Sequence, residues 1–105
     1  MKVKWQASDI LKFGTSLQGH ITATYADLVE KFGEPNLEPS DKTWNEWGIE
    51  FEIGDPEDDD WDIVNVTIYD WKEQSASDAM YGDYQWHIGG KSHQAVELVY
   101  DALGR

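Results

Sequence analysis

Residues 44–71 read WNEWGIEFEI, then GDPEDDDWD, then IVNVTIYDW. Two apolar-alternating runs flank an acidic turn punctuated by Gly and Pro, the pattern of a β-hairpin with a long loop. In the first run Trp47, Ile49, Phe51 and Ile53 share one face, and Glu46, Glu50 and Glu52 share the other. In the second, Val64, Val66 and Ile68 make one face. The opposite face carries Trp61, Ile63, Tyr69 and Trp71, mixed with Asn65 and Thr67. A strand apolar on both sides is either central and covered twice, or it shows an aromatic surface to solvent.

Upstream of the hairpin, Thr24 precedes Y-A-D-L-V-E-K-F with Asp27 three residues on, a capping-box pattern. Tyr25, Leu28, Val29 and Phe32 recur at helical spacing, and Gly33 and Pro35 end the segment, so a helix is expected over 24–33. Residues 35–42 read as an acidic connector. Downstream, residues 72–82 are polar and small, and 83–88 alternate again, with Tyr84, Trp86 and Ile88 on one face. Gly89 and Gly90 are expected to turn the chain. Ser92 then caps a helix over 92–103 whose stripe is Ala95, Val96, Val99, Ala102 and Leu103. The N-terminus is open to two readings: a lysine-protected edge strand carrying Val3 and Trp5, or a helical turn capped by Ser8 or Asp9 and carrying Ile10, Leu11 and Phe13. Residues 14–21 read as a linker or as a short strand broken by Gly19. The sum is a single α+β domain over 1–105. Its small antiparallel sheet has at least three strands (44–53, 61–71, 83–88), with helices packed on one face.

Composition narrows the function. The 105 residues include six tryptophans, no cysteine and a net charge of −13. Disordered acidic chains lack such aromatics, and without cysteine there is neither disulfide nor thiolate metal site. Direct binding to nucleic acid or to an anionic membrane is disfavoured, because phosphate contacts need clustered Lys and Arg. No apolar run is long enough to span a bilayer, and the first residues have no signal core. Residues 34–62 hold twelve acids against the single base Lys42, most of the chain's net charge.

The chain also resembles a group of small acidic proteins of tailed bacteriophages. The residues that carry the likeness are TYADLVEKFGEP (24–35), WGIEF (47–51), VTIYDWK (66–72), WHIGGK (86–91) and AVELV (95–99). It covers roughly residues 16–103. That group carries no settled activity, so the likeness implies a phage origin and the cytoplasm of an infected bacterium rather than a mechanism. Residues 55–62 depart from the group's usual short turn.

Three constellations compete for the function. The first is the acidic hairpin, read either as a solvated face or as an imitation of a nucleic-acid backbone. Acids on alternate strand positions recur every ~6.8 Å, whereas duplex DNA carries a charge per ~1.7 Å of axis, so a strand alone is about four times too sparse. The loop acids raise the density. The expected partner-binding residues are Glu50, Glu52, Asp55, Glu57, Asp58, Asp59, Asp60 and Asp62, with Trp44, Trp61 and Trp71 as apolar anchors. The expected partner is a basic, nucleic-acid-handling host protein: a CRISPR or restriction nuclease, or a repair enzyme such as uracil-DNA glycosylase. A calcium loop beginning at Asp58 fails, because Ile63 stands where Gly is needed and Tyr69 where Glu is needed.

The second is Gly89, Gly90, Lys91 and Ser92 leading into a helix, an anion-binding arrangement in which Trp86 or Trp71 would stack a base and the chain would sequester a nucleotide. Gln85 stands where a full phosphate-binding loop needs Gly. The third is catalysis. His20, His87 and His93 have no metal-ligand spacing and Ser92-His93 no triad context, so neither enzyme activity nor a cofactor is expected.

Overall fold

The computed structural model describes residues 3–8, 15–55, 57 and 60–105, and for 55, 60 and 61 the backbone only. Five strands and two helices follow in the order β1 (Val3–Ala7), β2 (Ser16–Thr24), α1 (Tyr25–Phe32), β3 (Glu46–Asp55), β4 (Asp60–Tyr69), β5 (Asp83–Gly90) and α2 (Gln94–Ala102). The strands form one antiparallel sheet in the order β1-β3-β4-β5-β2. The α+β reading holds, with two strands added.

Both additions have a physical cause. β1 is the edge strand read from Val3 and Trp5: Trp5 packs on Phe32 and Phe51, while Lys4 lies opposite Glu52. The alternative helical turn at Ile10, Leu11 and Phe13 lies outside the described residues. β2 includes Gly19, where the register with β5 shifts by one residue. This bulge hides the alternation in the sequence.

The core lies between one sheet face and the two helices. Trp47, Phe51, Val66, Ile68, Trp86 and Ile88 are fully buried on that face under Leu28 of α1 and Ala95 and Val99 of α2. The buried indoles keep their N–H groups satisfied: Trp47 donates to Gly33 O (2.8 Å) and Trp86 to Ala23 O (3.0 Å). α1 starts as expected, with reciprocal bonds between Thr24 and Asp27, and ends at Gly33 with φ 83°.

Three expectations need correction. The hairpin has no long loop: β3 and β4 stay paired to Asp55 opposite Asp60, so Asp55, Asp60 and Asp62 belong to the ladder. Gly89 and Gly90 do not turn the chain but end β5 as extended strand. They are glycine for space, since a Cβ on Gly89 would lie 2.4 Å from Thr67 Oγ1 and one on Gly90 2.6 Å from Ala95 Cβ. Ser92 is not the N-cap of α2. His93 holds that position without a capping side chain, and Ser92 Oγ accepts the Gln94 N–H at 3.3 Å. The boundaries expected at 44–53, 61–71 and 83–88 move to those of β3, β4 and β5.

Candidate functional site

The hairpin has two chemically different ends. At the turn end, among the described residues, β1 pairs with β3 from Ala7 opposite Ile49 to Val3 opposite Ile53, and β5 pairs with β4 from Thr67 to Tyr69. Gly54 pairs with Trp61 and Asp55 with Asp60, which carries the ladder past the stretch that β5 accompanies among the described residues. Residues 55–62 hold six acids and no base. Asp62 is exposed, and its Oδ1 accepts the N–H of Ile63 at 2.8 Å. Asp58 and Asp59 lie outside the described residues, as do the side chains of Asp55, Asp60 and Trp61. The strand acids are less open than the sequence implies: Gln6 Nε2 donates to Glu50 at 2.6 Å, and Lys4 faces Glu52 across the β1–β3 pair.

At the other end the chain is tied by a buried carboxylate. Asp70 is fully buried and accepts the N–H of Trp44 (2.7 Å) and the N–H and side-chain amide of Asn45. This knot presents Trp44 and Trp71, which stay 45% and 38% exposed. The ammonium groups of Lys42 and Lys72 lie 5.5 and 5.9 Å from the Trp71 ring centroid. Nine strand steps from Asp60 to Tyr69 span about 30 Å. Trp44 and Trp71 therefore do not share a patch with the acidic turn; of the expected anchors only Trp61 lies at that end. Asp70 was missed as an organising residue, although it is the only acid between Ile63 and Lys72.

The sheet face away from the helices is partly covered. Leu37 lies over Gly48, where a Cβ would meet Ser8 O at 2.2 Å. Beside it a shallow cleft of about 160 Å³ is lined by Ser16, Thr43, Glu46, Thr67, Tyr69 and Trp71. Burial, with the Glu46 charge, raises the Tyr69 hydroxyl pKa. Next to it His87 stacks on Tyr69 (5.4 Å) and meets His20 edge-on (4.5 Å). Burial and the neighbouring His20 hold the His87 pKa below its ordinary value, with Asp70 acting the other way. The sequence hid this pair because it arises from the β2–β5 register.

The expected anion site comes apart. Trp86 is fully buried in the core and has no face for a base. Gly89 and Gly90 are buried strand, and Lys91 and Ser92 are exposed on the bend before α2. The first-turn amides of α2 bond inward: Gln94 to Ser92 Oγ, Ala95 to Ser92 O, Val96 and Glu97 to His93 O. Among the described residues no group of three His, Asp or Glu side chains could hold a metal ion, and no helix is long and apolar enough to cross a membrane. Comparison with protein-family models, with curated proteins and with solved structures found no match.

Proposed function

We propose that the chain is a non-enzymatic binding protein whose acidic hairpin turn docks on the basic, nucleic-acid-handling surface of a partner protein. One observation carries this reading: the β3–β4 ladder continues to Asp55 opposite Asp60, beyond the residues that β1 and β5 accompany among the described residues. Residues 55–62, which close this end of the hairpin, include six acids and no base. Like charges crowded into one turn oppose folding, and a binding role accounts for keeping them. Long-range attraction raises encounter rates with a positive surface by orders of magnitude at low salt. With the likeness to small acidic phage proteins, the partner is a host defence nuclease of CRISPR or restriction type, or a DNA-repair enzyme such as uracil-DNA glycosylase. The chain acts as its inhibitor.

The test uses two immobilised proteins, the wild type and a variant with Asp58, Asp59, Asp60 and Asp62 changed to Asn. Bacterial lysate is passed over both and eluted with a salt gradient. The reading predicts a DNA-binding protein on the wild-type column alone, released by moderate salt and by added duplex DNA. The same proteins on both columns would leave the acids as a solvated face.

A further inference from the structure

The sheet has margins of unequal openness. β2 is the strand at one side, and two carbonyls on its outer edge are occupied: Tyr100 Oη donates to His20 O at 2.7 Å and the Arg105 guanidinium donates to Thr22 O. Carbonyls two residues apart point to the same side of a strand, so the edge at residues 20–22 is closed to another chain. β4 is central by sheet order, yet β5 leaves it at Thr67. Among the described residues no strand lies along the β5 side of residues 60–64.

Among the described residues, an acidic side chain stands guard on this stretch. The Ile63 N–H takes the carboxylate of its own neighbour, Asp62 Oδ1, as acceptor. Ile63 is 41% exposed. Close by, Asn65 Oδ1 is shielded from water and has no hydrogen-bond partner among the described residues. Such an acidic guard repels a second copy of this chain, which carries a net charge of −13. The same guard attracts a cationic strand.

We infer that the open edge of β4 at residues 61–64 receives an extended, lysine- or arginine-bearing segment of the partner as an added strand. An incoming carbonyl replaces Asp62 as acceptor for the Ile63 N–H, and the released carboxylate pairs with a basic side chain of the added strand. Backbone pairing supplies the register and the charges select the partner, a known division of labour in strand addition. This inference rests on the acidic-docking reading and adds the mode of contact.

The probe is a short peptide of alternating lysine and valine, compared with its counterpart methylated at alternate backbone amides. Charge is the same in both, but the second cannot form the ladder. Losing one or two backbone bonds at about 1 kcal/mol each corresponds to roughly tenfold in affinity. The expected result is binding about tenfold or more tighter for the unmethylated peptide, with slowed hydrogen exchange at the Ile63 amide. In Ile63→Pro, which removes that N–H, the two peptides should bind alike. Equal, salt-sensitive binding of both peptides to the wild type would overturn strand addition and leave acidic docking standing. Binding of neither would overturn both. Protection of Ile63 without peptide, accompanied by dimerisation at high salt, would assign the edge to a second copy and overturn the inference. Should Ile63→Pro fail to fold, the comparison of peptides on the wild type still decides.

Discussion

Asp70 and Asn45 lock the base of the hairpin through reciprocal bonds. The Asp70 N–H donates to Asn45 O at 3.2 Å, and the Asn45 N–H and side-chain amide both return to the Asp70 carboxylate, each at 3.1 Å to Oδ2. Asn45 Nδ2 also donates to Ala76 O at 2.9 Å, which fastens the loop before β5 to the same point.

Asp70→Asn tests this knot. An amide in place of the carboxylate turns one acceptor oxygen into a donor facing donors. The expected loss is about 2–4 kcal/mol, the cost of charge-assisted bonds removed and buried donors left unpaired. A urea-denaturation midpoint within error of the wild type would show that the knot contributes nothing.

Gly90 and Ala95 give a second test, of packing. A methyl group on Gly90 would lie 2.6 Å from Ala95 Cβ. Gly90→Ala should therefore push α2 off the sheet at a cost of about 1–3 kcal/mol. Adding Ala95→Gly should recover part of that loss, although Gly alone in a helix costs about 1 kcal/mol. The readout is a double-mutant cycle by urea denaturation. Strict additivity would mean that the two residues do not meet.

Much of this architecture was legible in the sequence. The periodicities of residues 47–53 and 64–68, and the Thr24 capping box, needed only local chemistry to be read. β1 and β2 were each one of two open readings, because β1 is short and the bulge before Gly19 breaks the alternation of β2. The glycines at 89 and 90 read as a turn because local sequence cannot reveal that Thr67 and Ala95 occupy the space a side chain would need. Among the candidate residues, the acidic turn was visible as composition. That Trp44 and Trp71 belong to the opposite end follows from strand length, and that Trp86 is core follows from which face α2 covers. Asp70 looked like one acid among many until its donors were in place.

His87 predicts a pH dependence. Its folded-state pKa lies below the ordinary 6.5, first through burial and then through His20. The neutral form is favoured in the fold, so this group's contribution is fully present above about pH 6.5. It is lost as pH falls from there through the lower folded value. The groups facing it are His20 on β2, Tyr69 on β4, and Trp71, with the Asp70 charge opposing the shift. Between about pH 7.5 and pH 5.5, wild type should lose more stability than His87→Gln. Parallel urea-midpoint curves would remove His87 from the pH response.

The most direct measurement of the central claim is the association rate of the captured partner with two proteins, the wild type and the variant in which Asp58, Asp59, Asp60 and Asp62 are Asn. Both should fold, the variant at least as stably, because self-repulsion within the turn falls. At low salt the variant should associate more slowly by about one to three orders of magnitude. That gap should close as ionic strength passes about 0.15 M, where the screening length is roughly 8 Å. Equal association rates for the two proteins at every ionic strength would contradict acidic docking.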